Sequence, residues 1–195
     1  MMEKATLPAL TYASPLELIS EKFHVSPKLL QKLNRRGSFD QAGKEIVVPN
    51  VHTNLPGEKA GKVVVDKTAS TVAALDAEGK VIAQYPATMG SENDPLPVGN
   101  WKVNGISRNP PFHYNPDLFW DAEATDEKTT IQPGPNNPVG VVWIDLSKPH
   151  YGIHGTPEPS TIGKTQSHGC IRLTNWDAAE LARLVTPGTP ALLQD

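Results

Sequence analysis

A chain of 195 residues is long enough for one compact domain with a small additional module. Its formal net charge of -3 at pH 7 gives no basic footprint for nucleic acid, and no run approaches the roughly 18 apolar residues that a membrane-spanning helix needs. Glu3 and Pro8 interrupt the first residues, so a secretory signal is not expected there. The one cysteine, Cys170, excludes an internal disulfide.

The first fifty residues predict two short helices followed by a strand. Apolar side chains recur at helical spacing over residues 16–23 and 29–33. Residues 14–17 have the spacing of a capping box with proline at the first helical position, and residues 26–27 begin the second helix in the same way. The extended run at residues 46–49 predicts the strand.

These elements resemble a LysM carbohydrate-binding module. The resemblance rests on the apolar positions of both helices and on the run at residues 43–49, whereas Ala-Ser-Pro at residues 13–15 replaces the usual Gly-Asp-Thr opening. It implies that residues 1–50 form a small α+β module that binds peptidoglycan. A helical packing or spacer module is the alternative that fits the same residues.

Residues 51–60 contain Pro56 and Gly57 and predict a linker to a second domain at residues 61–195. Short strand-like runs separated by turn residues then predict a mainly β fold, either a β-sandwich or an open barrel. One helix is expected at residues 176–184, capped by Thr174 or Asn175. The predicted strands are residues 62–66, 71–75, 81–85, 101–106 and 139–146.

A segment rich in proline and aromatic residues, at residues 107–132, interrupts this series of strands. A loop of this length in a compact domain is usually functional or disordered. We interpret it as a lid or wall over a binding site, where its aromatic side chains hold a ligand and exclude water. Aromatic side chains that only pack the segment onto the domain are the alternative.

Cys170 lies in the segment Ser-His-Gly-Cys-Ile-Arg-Leu at residues 167–173, and His154 lies upstream in Tyr-Gly-Ile-His-Gly-Thr at residues 151–156. A cysteine without a disulfide is an inert buried thiol, a metal ligand or a nucleophile. The neighbouring imidazoles favour the nucleophile, because an imidazole that takes the thiol proton holds the thiolate as an ion pair and lowers the cysteine pKa. Neighbours on an extended chain face opposite sides, so we expect His154 to be the base and His168 to shape the pocket.

The residues around this pair are candidates for supporting the reaction. Glycine lets a backbone approach a substrate closely, so the amides of Gly169 and Cys170 are candidates for stabilising an oxyanion. The carbonyl of Gly155, or the hydroxyl of Thr156, would accept the other ring proton of His154 and fix its tautomer.

These residues resemble the L,D-transpeptidase family of bacterial cell-wall enzymes. The family pattern is a histidine followed, after a loop, by Ser/Thr-His-Gly-Cys, a small apolar residue and Arg or Asn. Residues 97–101 resemble the family's Pro-x-Gly-x-aromatic turn, residues 134–140 the segment before its histidine strand, and residues 175–181 the helix after its cysteine. The resemblance runs from about residue 61 to residue 193.

Four further residues are candidates for substrate binding: Tyr151, Thr156, Ser167 and Arg172. The planar guanidinium of Arg172 suits a substrate carboxylate, and a backbone carbonyl or acid within the protein is its alternative partner. Ser167 is expected to stabilise the turn before the cysteine. Tyr151 is expected to pack in or near the pocket.

A zinc site is another chemistry that the histidines suggest. His150, His154, His168 and Cys170 supply enough ligands. However, proline and glycine interrupt any helix around His150 and His154, and no glutamate supplies the base of a His-Glu-x-x-His site. Neither a metal nor an organic cofactor is expected.

The resemblance implies a peptidoglycan transpeptidase that forms 3→3 cross-links. Cys170 would attack the third residue of a tetrapeptide stem, the terminal D-alanine would leave, and an acceptor amine would resolve the thioester. With water as acceptor the protein would be an L,D-carboxypeptidase, and with a wall-anchored protein as acceptor it would be an attachment enzyme; a non-enzymatic wall-binding protein is a further alternative. The expected partners are peptidoglycan stem peptides and glycan, in the periplasm or cell wall, with a signal segment removed.

Overall fold

The computed structural model describes residues 1–35, 37–51 and 57–195, and the chain forms two compact units. The smaller unit is Thr11–Asn54, and the larger unit joins Met1–Leu10 to Leu55–Asp195. Residues 52–56, half of the predicted linker, lie outside the described residues. Within the described ranges, no helix has the length and apolar character to span a bilayer.

The structure contains four α-helices and eleven strands in its described residues. The helices are α1 Met2–Ala5, α2 Pro15–Lys22, α3 Pro27–Leu33 and α4 Asn175–Leu184. The strands are β1 Lys62–Asp66, β2 Thr71–Leu75, β3 Val81–Pro86, β4 Thr88–Met89, β5 Gly99–Arg108, β6 Phe112–Tyr114, β7 Thr129–Ile131, β8 Val142–Leu146, β9 Gly152–His154, β10 Ile171–Arg172 and β11 Pro190–Gln194.

The smaller unit contains α2 and α3, where the capping signals predict them. The hydroxyl of Ser14 accepts a hydrogen bond from the Glu17 amide at 3.1 Å, which satisfies one of the free amides of the first turn of α2. The hydroxyl of Ser26 does the same for the Leu29 amide at 3.2 Å. Both predicted helices are therefore confirmed.

The predicted strand at residues 46–49 is wrong. In the described residues of the smaller unit, 11–35 and 37–51, no strand forms. The side-chain amide of Asn34 instead occupies both backbone groups of Val47, donating to its carbonyl at 2.8 Å and accepting from its amide at 2.7 Å. This amide takes the place of a partner strand, and the LysM resemblance stays a prediction.

The larger unit is built on one nearly closed, barrel-like sheet of nine strands, so the predicted mainly β fold is confirmed. The strand order is β3-β2-β1-β11-β5-β8-β9-β10-β4. The alternation of apolar residues decides which face is buried: in β1, Val63 and Val65 are fully buried while their neighbours are partly exposed. Helix α4 begins at the Thr174 cap and buries Leu181 and Leu184 in the same core.

Most predicted strands form close to their expected bounds. β1 and β2 match the prediction residue for residue, and β3 is one residue longer. The strand expected at residues 139–146 begins only at Val142, because residues 137–140 form a turn. Asn137 holds that turn, since its side-chain oxygen accepts from the Val139 amide at 2.9 Å and its carbonyl accepts from the Gly140 amide at 2.8 Å.

The proline- and aromatic-rich segment contains a two-stranded sheet of β6 and β7. Leu10, from the N-terminal segment of the same unit, packs against this hairpin in a cluster with Tyr114 and Ile131. Its amide donates to the Pro133 carbonyl at 3.0 Å, and its carbonyl accepts from the Asn136 amide at 3.0 Å. Residues 107–132 are therefore held in place by Leu10, which lies far from them in the sequence.

Candidate active site

Two adjacent parallel strands bring His154 and the Cys170 turn to the same part of the sheet. β9 and β10 pair so that Ile153 lies opposite Ile171 and His154 lies opposite Arg172. Cys170 directly precedes β10 and therefore lies at the start of the strand beside the histidine strand. A hydrogen bond at 2.8 Å from the Leu173 amide to the His154 carbonyl continues this pairing.

Both side chains line one cavity of about 1140 Å³. Its walls come from residues in and next to β9 and β10 and from the segment expected to act as a lid. The lining includes four of the predicted site residues besides His154 and Cys170, together with aromatic residues of the lid segment: Tyr151, Ser167, His168, Arg172, Phe112, Tyr114 and Phe119.

His154 is buried and held by contacts on two sides. Its Nδ1 lies 2.7 Å from the Gly155 carbonyl, which accepts the ring proton and leaves Nε2 unprotonated. The imidazole stacks on Trp143 with ring centres 5.4 Å apart. Burial lowers the pKa of His154 to about 4, and the charge of Arg172 acts in the same direction. At neutral pH the side chain is therefore a neutral imidazole, the form that accepts a proton.

Asn175, the first residue of α4, fixes the backbone behind the histidine. Its side-chain oxygen accepts from the Val141 amide at 3.1 Å, and its side-chain nitrogen donates to the Pro135 carbonyl at 3.1 Å. A methyl group added to Gly155 or to Gly140 would collide with that oxygen. Glycine at residue 155 is therefore required by close packing, whereas the carbonyl that faces His154 is a backbone group that any residue would supply.

The thiol of Cys170 is protonated at rest. Burial raises its pKa to about 11, and the negative charge of Asp94 adds to the rise, whereas the Gly152 amide and the Arg172 guanidinium oppose it. The thiol points to the His150 carbonyl at 3.7 Å. The expected thiolate–imidazolium pair with a lowered thiol pKa is therefore replaced by a neutral pair, because burial disfavours charge on both groups.

Gly169 gives the cysteine turn a conformation that other residues rarely adopt. Its φ is +87°, in the left-handed region. A Cβ atom at this position would lie 2.7 Å from the ring of Tyr151, which packs over the turn. Tyr151 therefore lies against the turn and lines the cavity, as expected for a residue near the pocket.

Ser167 connects the cysteine turn to the loop after β4. Its hydroxyl donates to the Cys170 carbonyl at 2.6 Å and accepts from the Gly90 amide at 2.7 Å, and its own amide donates to the Gly90 carbonyl at 3.1 Å. The hydroxyl is thus occupied by backbone groups. This is the turn-stabilising arrangement that the sequence suggested, rather than a free group that faces a substrate.

His168 contacts the lid segment. Its Nε2 lies 2.8 Å from Asp121 Oδ1, and its ring packs against Phe119 and Trp120 at centroid distances of 5.0 and 5.7 Å. These contacts make His168 part of the cavity wall and not a second base. Its partner Asp121 is not among the site residues predicted from the sequence.

Arg172 and Thr156 are both engaged within the protein. The guanidinium donates to the hydroxyl of Thr165 at 2.8 Å and to the carbonyl of Gln166, while its buried Nε has no partner among the described residues. Thr156 is buried in the turn after β9, where its hydroxyl accepts from the Glu158 amide at 3.2 Å. Gly155, not Thr156, accepts the imidazole proton.

The histidines diverge in the structure. His154 faces Gly155 and Trp143, whereas His168 faces Asp121. In the described part of the chain, no three or more His, Cys, Asp or Glu side chains converge on a point that would hold a metal ion.

The sequence model of the YkuD family, described as the L,D-transpeptidase catalytic domain, matches residues 60–193. YkuD of Bacillus licheniformis, which carries the name L,D-transpeptidase, is 31% identical over 176 residues, which are 89% of this chain and 90% of that protein. YkuD of Bacillus subtilis is 33% identical over 175 residues with the same coverage. The chain therefore belongs to the L,D-transpeptidase family, an enzyme class.

Solved structures agree on the fold. An L,D-transpeptidase from Mycobacterium smegmatis superposes with a TM-score of 0.53 at 23% identity, over 68% of this chain and 58% of that one. An L,D-transpeptidase from Enterococcus faecium, solved as a C442S mutant, gives a TM-score of 0.53 at 20% identity, over 70% of this chain and 50% of that one.

Proposed function

We propose that this protein is a peptidoglycan L,D-transpeptidase that forms 3→3 cross-links through a thioester on Cys170. The observation that carries the proposal is that the neutral imidazole of His154, at the end of β9, and the thiol of Cys170, in the turn directly before the parallel neighbour β10, line one cavity. Membership of the family supports peptidoglycan as the substrate.

In the acylation step, Cys170 attacks the carbonyl of the third residue of a tetrapeptide stem, and the thiol proton passes to His154 Nε2 as the S–C bond forms. Backbone amides of Gly169 and Cys170 stabilise the oxyanion of the tetrahedral intermediate. The intermediate collapses, the bond to the terminal D-alanine breaks, and the imidazolium gives its proton to the departing amine.

In the second step, an amine of another stem attacks the thioester and forms the cross-linking amide. Its proton passes through His154 to the departing sulfur, which restores the thiol. Because thiol and imidazole are neutral before and after the cycle, charge develops on them only during reaction. The chemistry needs no metal or organic cofactor, and a location in the periplasm or cell wall gives access to the substrate.

The test is incubation with disaccharide-tetrapeptide, with products identified by mass spectrometry. We expect cross-linked dimers from the wild type and none from Cys170→Ala. His154→Ala should slow acylation by about 10²–10⁴-fold because the general base is lost, whereas His168→Ala, which removes a wall contact, should change it only a few-fold.

Tripeptide as the sole product of the wild type would contradict cross-linking and identify an L,D-carboxypeptidase. Product formation by Cys170→Ala would contradict the nucleophile. Equal losses in His154→Ala and His168→Ala would contradict the assignment of the base.

A further inference from the structure

Asp94 is a carboxylate in the wall of the cavity that His154 and Cys170 line. The proposed acylation and transfer steps do not use it. Its Oδ2 is covered from solvent, yet it has no hydrogen-bond partner among the described residues. A covered carboxylate oxygen that is left unpaired costs free energy, which a positively charged donor would recover.

Asp94 lies within electrostatic reach of the reacting sulfur. Burial is the main cause of the raised pKa of Cys170 and of Tyr151, two residues that line the same cavity, and the negative charge of Asp94 adds to both. A group bound to this carboxylate would therefore be held in the same cavity as the thiol.

The backbone that carries Asp94 is fixed relative to the cysteine turn. The Asp94 amide donates to the hydroxyl of Ser91 at 2.9 Å, and the Asp94 carbonyl accepts from the Ser91 amide at 2.8 Å. Gly90 begins this loop with φ +60° and, through Ser167, is hydrogen-bonded to the turn of Cys170. Hydrogen bonds therefore join the loop that carries Asp94 to the turn that carries Cys170.

Two basic side chains of the cavity wall, Lys148 and Arg172, make contacts with other residues. The ammonium of Lys148 lies over the rings of Trp101 and Tyr151, at 5.7 and 5.8 Å from their centres. The guanidinium of Arg172 donates to Thr165 and Gln166 through one Nη atom, and its covered Nε has no partner among the described residues. Within the described ranges, Asp94 takes part in no ion pair.

We propose that Asp94 binds the primary ammonium group of the diamino acid in a stem peptide. The inference rests on the proposed function, because it assumes that such a peptide occupies the cavity. The ammonium has two possible sources, the stem that acylates Cys170 or the stem that accepts the acyl group. In the second case the bound ammonium releases one proton to solvent before attack, and the other passes through His154 to the departing sulfur.

The donor arm of the test measures the rate of Cys170 acylation by intact-protein mass spectrometry. The probes are a synthetic tetrapeptide with diaminopimelate at its third position and the same peptide acetylated on the side-chain amine. If the ammonium belongs to the donor, the wild type should prefer the free amine by about tenfold or more, since a charged hydrogen bond contributes on that scale, and Asp94→Asn should lose the preference.

The acceptor arm measures how the acyl-enzyme divides between water and added diaminopimelate tripeptide. If the ammonium belongs to the acceptor, Asp94→Asn should need about tenfold more tripeptide to give the same fraction of cross-linked product. Asp94→Glu keeps the charge and should retain part of the effect in either arm.

Glu92→Gln is the matched control, because it removes one negative charge from the same loop. The side chain of Glu92 is exposed and does not line the cavity of His154 and Cys170. This variant should behave as the wild type in both arms. Asp94→Asn with wild-type behaviour in both arms, or a Glu92→Gln effect of equal size, would overturn the proposal for Asp94. Absence of any acyl-enzyme in the wild type would instead overturn the proposed function.

Discussion

His154 and Cys170 rest as neutral groups because burial acts on both in the direction that removes charge. Burial lowers the pKa of the imidazole to about 4 and raises the pKa of the thiol to about 11. The protonated sulfur is thus a weak nucleophile at rest, and in the proposed mechanism it becomes reactive when its proton moves to His154. Such a thiol should be protected from reagents that attack free thiolates.

Alkylation of Cys170 by iodoacetamide tests this state. Because the thiol is the only one in the chain, the reaction reports on it alone. We expect the rate to rise about tenfold per pH unit from pH 7 and to keep rising at pH 10, above the point where an ordinary thiol of pKa about 8.5 levels off. A small thiol such as N-acetylcysteine serves as the control, and a plateau below pH 8 would contradict the neutral pair.

The sequence predicts the residues that are proposed to react, but not the residues that hold them in place. Cys170 and His154 carry chemistry that their neighbours reveal, and Gly155 follows from the need to fix a tautomer. The roles of Asn175 and Asp121 could not be predicted, because each acts on a residue that only the folded chain brings close. The thiol pKa was predicted in the wrong direction, since burial cannot be read from the motif.

Strands in which buried and exposed side chains alternate can be predicted from the sequence, whereas very short strands cannot. β1 and β2 alternate over five residues each, which sets both their conformation and their buried face. β4 and β10 have two residues each and are defined by their neighbours in the sheet rather than by their own pattern. The pairing of β9 with β10 therefore could not be predicted from the sequence.

The β6–β7 hairpin depends on Leu10 for part of its core. Leu10 is 4% exposed and packs with Tyr114 and Ile131, whereas Leu7 in the same segment is 44% exposed. We expect Leu10→Ala to destabilise the hairpin by about 2–5 kcal/mol, because it leaves a cavity beside two buried side chains. Hydrogen exchange of the β6 and β7 amides should be faster in this variant, because the free energy of opening the hairpin is lower.

Leu7→Ala is the matched control for this prediction. It should change the free energy of opening that hydrogen exchange reports for the β6 and β7 amides by no more than about 0.5 kcal/mol. Equal effects of the two substitutions would mean that the segment stabilises the hairpin without a specific side chain.

The buried His154 and the partly buried Asp177 give the folded protein opposite dependences of stability on pH. The pKa of His154 is lowered to about 4 in the folded state, so between about pH 6.5 and pH 4 the unfolded chain binds a proton that the native state refuses. Burial raises the pKa of Asp177 to about 6, so in nearly the same range the native state binds the additional proton. The two effects partly cancel in the wild type.

Substitution should separate these effects in urea unfolding at pH 4 and pH 6.5. Relative to His154→Gln, the wild type should lose up to about 3 kcal/mol of unfolding free energy as the pH falls from 6.5 to 4. Relative to Asp177→Asn, the wild type should instead gain stability over that fall. A difference between wild type and His154→Gln that does not vary with pH would contradict a neutral buried imidazole.

The sheet order also has a consequence for how a newly made chain acquires its shape. β11 lies between β1 and β5, parallel to the first and antiparallel to the second. The β1–β3 meander is translated early, yet the β1 edge has no partner until residues 190–194 leave the ribosome. Closure of the sheet is thus a late event that joins distant parts of the chain, which predisposes the protein to slow folding and makes an unpaired β1 edge the natural target of a chaperone.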